Sequence, residues 1–289
     1  MAIFVDKDTH VLIQGITGRL AAVQTKIMLD YETKIVAGVT PGKGGQTQFG
    51  IPVYDSVQQA AIKHRIDASV IYVPAPFVQD AAFEAIDAGI RFMVIVTDWV
   101  PLHIEIKIKA YAENKGTRYI GPNTMGMMVP GQTSLGGVLA PRVKPGGIAI
   151  VCRSGALSNE IPSRLAEQGV KLSVVIGLGG DPVVGSRMLD VLKLLKEDEQ
   201  TKGVLLVGEI GGTMEEEAAE YIKAHFDKQV VAFIAGRTAP RGKVMGHAGA
   251  MIMSGRGTAE SKIKAFQLAG VPVAKNLLEI PSLVKQMTS

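Results

Sequence analysis

The chain contains one cysteine, Cys152, which excludes an internal disulfide and a cysteine-based metal site. Aromatic residues are also scarce, at 5% of 289 residues, and charged residues make up only 20% against 47% hydrophobic, too little charge for a disordered protein. The formal charge of +4, from 31 Lys plus Arg against 27 Asp plus Glu, is spread along the chain. It lacks the clustered basic residues and interleaved aromatics of a nucleic-acid binder, while remaining compatible with a small anionic ligand. No apolar run reaches the roughly 18 residues that span a bilayer, because Pro74, Pro76 and Asp98 interrupt the longest stretches. A charged segment followed by an apolar one, the mark of a secretory signal, is missing at the N-terminus. The expectation is a soluble protein of the cytoplasm, or of the mitochondrial matrix in a eukaryote, although no transit peptide is seen; neither membrane nor nucleic acid is expected as a partner.

What the chain has in quantity is glycine, 33 residues of it, which favours a loop-rich α/β protein. At roughly 100 to 200 residues per domain the length fits two. Short apolar runs recur, each followed by a Gly or Pro turn and a stretch of helical spacing, the rhythm of βα units. Residues 10–14 (HVLIQ), 35–39, 68–73 and 92–96 read as buried strands, residues 78–88 and 102–114 as helices, and Tyr119-Ile120 as a short final strand. Parallel strands need crossover helices, so a doubly wound parallel sheet follows. Residues 129–147 are rich in Gly and Pro and lack helical periodicity, and the strand-helix rhythm restarts at 148–152, 172–176, 203–207 and 230–235, with helices at 158–168 and 214–225. This predicts a first domain over 1–128, a linker over 129–147 and a second α/β domain over 148–289.

Ligands of open α/β sheets bind at the carboxyl ends of the strands. The turn Gly15-Ile16-Thr17-Gly18 precedes a helix there and presents unpaired amides to an anion, although no G-x-G-x-x-G fingerprint occurs. It reads equally as a tight turn. Lys43, in Thr40-Pro41-Gly42-Lys43-Gly44-Gly45, lies on the same edge, as do Pro74-Ala75-Pro76 and Thr97-Asp98-Trp99. In the second half Arg153-Ser154-Gly155-Ala156 opens a helix, either as an amide nest or with Ser154 as a plain N-cap. Glu209 follows a predicted buried strand among glycines. His247, in Gly246-His247-Ala248-Gly249, has small neighbours that leave its imidazole open to act as nucleophile or base. The other histidines, His10, His64, His103 and His225, read as surface or packing residues, and Cys152 as core. There is no G-x-x-x-x-G-K-[ST] phosphate loop, so a nucleoside triphosphate would need a site on another chain or of another type. No metal-ligand set is read.

Together QGITG, AGVTPGKGG, VIYVPAPF, SGALSNE, GLGGDPVVGS, GEIGGTMEEEAAEYIK and AGRTAPRGKVMGHAGA, with the terminal GVPVAKNLLEI, resemble the α subunit of succinyl-CoA synthetase (succinate–CoA ligase) over essentially the whole chain. The resemblance implies a Rossmann-like CoA-binding domain followed by a flavodoxin-like second domain. It implies a partner β subunit with an ATP-grasp domain that binds ATP or GTP with Mg, in an αβ or α2β2 assembly. It further implies that His247 carries a phosphoryl group with Glu209 as its partner, and that the amides of Ser154, Gly155 and Ala156 face the phosphate. CoA would be contacted by Thr17, Gly18, Arg19, Leu20, Lys43, Val96, Thr97 and Asp98. An acyl phosphate formed from a short anionic acid would then yield the thioester.

The chain departs from the family's pattern in four places. Thr17-Gly18-Arg19-Leu20-Ala21 stands for T-G-x-Q-G, and Thr97-Asp98-Trp99 for T-E-G. Around the acid, Gly121-Pro122-Asn123-Thr124-Met125-Gly126 replaces G-P-N-C-P-G, and Asn159 takes the place of a tyrosine associated with the acid. Asn123, Thr124, Met125 and Asn159 are therefore the expected substrate residues, and the acid is succinate or a hydroxylated or sulfonated relative. A nicotinamide-dependent oxidoreductase and a non-catalytic CoA-binding subunit are the alternative readings.

Overall fold

A computed structural model describes residues 3–138, 142–238, 247–250 and 257–287. The chain divides into two compact units, one formed by Phe4–Val138 with Val183–Gly185, the other chiefly by the described parts of Leu139–Pro182 and Ser186–Ser289.

In the first unit β1 (Val11–Gln14), α1 (Arg19–Asp30) and β2 (Ile35–Val39) form the opening βαβ. A small antiparallel pair follows, β3 (Thr47–Gln48) with β4 (Ile51–Tyr54). Then come α2 (Val57–Lys63), β5 (Ala68–Ile71), a 3-10 turn at Ala75–Phe77, α3 (Val78–Asp87), β6 (Phe92–Ile95), α4 (Leu102–Lys115) and β7 (Arg118–Ile120). The strand order is β3-β4-β2-β1-β5-β6-β7, and every neighbouring pair but β3 with β4 is parallel. With β3 set aside this is the Rossmann order, and its direction reverses between β1 and β5. All four residues of β1, β5 and β6 are buried, as expected for a parallel sheet covered on both faces. The polar exception in β1 is satisfied: Gln14 Nε2 donates to the Ala81 carbonyl at 2.9 Å and its Oε1 accepts from the Ser69 hydroxyl at 2.8 Å.

The antiparallel hairpin β8 (Gly126–Val129) and β9 (Thr133–Gly136) closes this unit. Its second strand packs on α1, where the Thr33 hydroxyl donates to the Ser134 carbonyl at 2.9 Å. Paired strand thus stands inside the Gly/Pro-rich stretch 129–147, where the composition suggests a linker.

The second unit repeats the alternation: β10 (Pro145–Cys152), α5 (Leu157–Glu167), β11 (Leu172–Gly177), α6 (Met188–Glu197), β12 (Gly203–Glu209), α7 (Met214–His225) and β13 (Gln229–Ala235). After it come α8 (Ala259–Leu268), β14 (Val273–Ala274) and α9 (Ile280–Gln286). Strands β14-β13-β12-β10-β11 are parallel in that order, which is the flavodoxin-like arrangement. The register sets Cys152 level with Val207 on one side and Gly177 on the other. The loops after β10, β11 and β12 therefore leave the sheet side by side.

Candidate active site

The ends of two of those strands bring together a carboxylate and an imidazole. Glu209 is the last residue of β12, and its carboxylate faces His247: Nδ1 of the imidazole lies 2.9 Å from Oε2 and 3.1 Å from Oε1. Gly180, after β11, makes room for the ring, since a Cβ at that position would lie 2.4 Å from the His247 Cγ. The amide of Gly249 donates to the Gly180 carbonyl at 3.0 Å, which ties the histidine turn to the same loop. His247 remains 21% exposed whereas the Glu209 side chain is nearly covered. Its pKa is raised, first by the hydrogen bond to Glu209, which outweighs the opposing effect of burial. A carboxylate on Nδ1 fixes the tautomer and leaves Nε2 as the nitrogen available to a reactant. Residues 239–246, including the glycine before His247, lie outside the described residues.

Beneath this pair sits a set of buried charges that spacing alone does not reveal. Arg153, 4% exposed, points Nη2 at Glu209 Oε1 from 3.4 Å and donates through Nη1 to Glu215 Oε1 at 3.0 Å and the Gly211 carbonyl at 3.1 Å. Glu215, at the start of α7, also accepts the Glu209 amide at 3.1 Å, and Gly208 leaves space for its side chain. Lys262 of α8, fully buried, binds Glu215 Oε2 and, at 3.0 Å each, Glu216 Oε2 and the Gly212 carbonyl. Burial alone would raise the Glu215 pKa, but Arg153 and Lys262 hold it below the usual carboxylate range. The sequence marks these residues only as the head of a helix, an acidic run and an ordinary surface lysine.

Ser154, Gly155 and Ala156 lead from β10 into α5, and among the described residues no acceptor takes their backbone N–H groups. The Ser154 hydroxyl accepts from the Leu157 amide at a long 3.4 Å, while the N-cap of α5 is Ala156, which has no capping side chain. Cys152 is buried, which pushes its thiol up to about 12, in keeping with a core residue.

In the first unit the loops after β1, β2, β5 and β6 share the carboxyl edge and are laced in pairs. The hydroxyls of Thr17 and Thr40 lie 3.2 Å apart, joining the loops after β1 and β2. The Thr97 hydroxyl donates to the Val73 carbonyl at 2.6 Å, joining those after β6 and β5. Gly15 takes φ +82°, and a Cβ there would meet the Val73 backbone nitrogen at 3.2 Å. Gly18 is the N-cap of α1 with no capping side chain, and Arg19, Leu20, Lys43 and Asp98 are exposed around it. Val96 donates its amide to the Ile71 carbonyl at 3.1 Å, extending β6 toward this rim. The amides of the Gly15–Gly18 turn expected to be unpaired are largely taken, Gly15 by the Val39 carbonyl at 2.7 Å and Gly18 by the Gly15 carbonyl at 2.9 Å, so what this edge offers a phosphate-bearing ligand is the uncapped start of α1 with the exposed Arg19 on its first turn.

Asn123, Thr124 and Met125 occupy the loop after β7, held by the Asn123 amide on the Thr97 carbonyl at 2.9 Å and the Gly137 amide on the Met125 carbonyl at 2.6 Å. They belong to the first unit, whereas Asn159 lies on the first turn of α5 in the second. Two other histidines have structural partners, His10 with Asp67 at 3.0 Å and His64 with the Tyr54 hydroxyl at 2.8 Å.

Comparison with known proteins gives the same division. Residues 6–99 match a family model described as CoA binding domain, and residues 151–272 one described as CoA-ligase. Succinate–CoA ligase (ADP-forming) subunit alpha 2 of Archaeoglobus fulgidus is 50% identical over 287 residues, covering 99% of this chain and 100% of that protein. The corresponding alpha subunit of Staphylococcus aureus is 49% identical over 282 residues, 98% of this chain and 93% of its own. Among solved structures, an ATP citrate lyase from Methanothrix soehngenii in complex with citrate and coenzyme A matches with a TM-score of 0.90 at 25% identity, over 98% of this chain and 50% of that one. A dinucleotide-forming acetyl-coenzyme A synthetase from Ca. Korarchaeum cryptofilum shares the fold, with a TM-score of 0.77 at 19% identity over 97% of this chain and 61% of its own. By its two domains and its full-length relatives, the chain belongs to the succinate–CoA ligase α-subunit family and is an acid–CoA ligase.

Proposed function

We propose that the chain works with an ATP-grasp β subunit to join a short anionic acid to CoA, driven by a nucleoside triphosphate and passing through phosphohistidine. The observation that carries this reading is the Glu209–His247 pair, with Nδ1 bound at 2.9 Å and no partner on Nε2 among the described residues. Nε2 attacks the γ-phosphorus and the nucleoside diphosphate leaves. The acid's carboxylate then attacks the phosphorus, giving acyl phosphate and regenerating the imidazole. The CoA thiolate attacks the acyl carbon and inorganic phosphate departs, completing the thioester. The amides of Ser154, Gly155 and Ala156, just beyond the end of β10 and so beside the β12 terminus that carries Glu209, are assigned to the phosphoryl oxygens. A second helix N-terminus is expected from the partner. CoA is assigned to the first unit's rim, with phosphates near Thr17, Gly18, Arg19, Leu20 and Lys43, and with Val96, Thr97 and Asp98 lining the same edge.

Succinate is the acid in the names of the relatives. Asn159 favours a different choice here, because a smaller amide in place of a tyrosine exchanges an aromatic wall for extra donors and acceptors. The acid is accordingly assigned to the hydroxylated or sulfonated short-chain anions. The test uses this chain purified with its co-expressed partner and assayed for thioester from CoA, triphosphate and a panel of acids. Formation dependent on all three components and absent in His247→Asn is expected. Undiminished formation in that variant would overturn the mechanism, and a clear kcat/KM preference for succinate would overturn the choice of acid.

A further inference from the structure

Arg153 is buried more deeply than His247, and its backbone amide ties it to β12 by donating to the Val207 carbonyl at 3.0 Å. Its guanidinium spans two carboxylates: Nη1 is anchored by Glu215 Oε1 at 3.0 Å and by the Gly211 carbonyl at 3.1 Å, and Nη2 reaches Glu209 Oε1 at 3.4 Å. Glu215 is fixed in turn by Lys262, and its Oε1 takes the Glu209 amide as well. The geometry therefore constrains Glu209 twice, at its backbone by Glu215 and at its carboxylate by Arg153. With Oε1 drawn toward the guanidinium, Oε2 becomes the closer oxygen to His247 Nδ1, at 2.9 Å against 3.1 Å.

We infer that Arg153 is a positioning residue for the phosphoryl-carrying histidine: it orients the Glu209 carboxylate and opposes that carboxylate's tendency to keep the imidazole protonated. This inference rests on the reading of His247 as the phosphoryl carrier. A lone buried carboxylate on Nδ1 favours the imidazolium, which has no lone pair on Nε2 with which to attack. A fixed cation on the far side of the carboxylate moderates that pull without touching the ring. Among the described residues the charged groups that face the imidazole are Glu209 from β12, Arg153 from the loop after β10 and Asp181 from the loop after β11; Glu209 and Asp181 favour its proton and Arg153 opposes it. Glu215 from α7, with Lys262 and Glu216 behind it, sets the position of Arg153.

The test measures single-turnover phosphorylation of His247 against pH, in the αβ complex with labelled triphosphate, for wild type, Arg153→Lys and Arg153→Gln. Arg153→Gln is expected to slow phosphorylation at neutral pH by about 10- to 100-fold and to move the pH midpoint upward by about half a unit or more. KM for the triphosphate should be unchanged. Arg153→Lys, which keeps the charge but not the fork, is expected to hold the midpoint near that of wild type while remaining slower. A merely structural role would lower the yield of folded complex with no change in midpoint, and a wild-type midpoint in folded Arg153→Gln overturns the inference. Should neither Arg153 variant fold, the wild-type complex decides by nitrogen-15 NMR: the Arg153 guanidinium signals should shift with pH at the midpoint of the His247 ring, and a guanidinium blind to that titration overturns the inference. Absence of label on wild-type His247 would instead remove the phosphohistidine reading, and this inference with it.

Discussion

Glu209 acts on His247 in two ways that pull apart. It fixes the ring with Nε2 outward, and it raises the imidazole pKa above its ordinary value. Because the folded pKa is the higher one, the pair stabilises the fold fully below the unfolded histidine's pKa, and that contribution is lost as pH rises through the folded value. Attack needs the unprotonated ring, so phosphohistidine formation should increase over the same rise. In stopped-time labelling across pH, Glu209→Gln is expected to move the midpoint down and to lower the plateau rate by about 10- to 100-fold, since the amide no longer fixes the tautomer. Gly180→Ala tests the fit of the ring from its other side. With a Cβ 2.4 Å from the His247 Cγ, the imidazole must leave Glu209. A loss of about 100-fold in kcat with unchanged far-ultraviolet circular dichroism is expected, and wild-type kcat would show that the ring has room to spare. His247 and Glu209 were legible in the sequence because glycines surround both. Arg153 and Lys262 were not, because their partners stand 62 and 47 residues away, and spacing says nothing about buried charge brought together by strand order.

At the scale of elements, α7 and α8 are pinned through one fully buried ion pair, Lys262 with Glu215. Removing Lys262 leaves the buried Glu215 with Arg153 as its one cation, so Lys262→Met should cost about 1 to 3 kcal/mol. Urea unfolding followed by fluorescence or circular dichroism measures this directly, and a cost below about 1 kcal/mol would show that the pair is as weak as a surface bridge. Parallel strands covered on both faces were legible because they read as unbroken apolar runs; Ala68–Ile71 and Gly203–Glu209 are examples. Two strands without such a run were not. Ile51–Tyr54 carries a proline, and Thr133–Gly136 is buried throughout despite two hydroxyl residues, because its fit is decided by pairing with β8 and packing on α1. Such contacts have no local signature.

For the whole molecule, the two strand orders separate the labour. The Rossmann order places a helix N-terminus and four loops, joined in pairs by hydroxyl hydrogen bonds, around one edge of the first sheet. The flavodoxin-like order sets Glu209 and the α5 amides at neighbouring strand ends of the second. That two α/β domains exist was readable from the repeated strand-turn-helix rhythm. Their sheet orders were not readable from that rhythm, because it is the same in both halves. A ligand that binds only the folded chain stabilises it by about 2.7 kcal/mol at a hundred times its Kd. CoA should therefore raise the melting temperature of this chain in a concentration-dependent way while NAD leaves it unmoved; the reverse result would turn the first unit into a nicotinamide site. Phosphorylation of the histidine remains the decisive event. Incubation of the αβ complex with triphosphate labelled at the γ position should place acid-labile, alkali-stable label on His247 of this chain and none on His247→Asn, whereas equal labelling of the two proteins would contradict the mechanism.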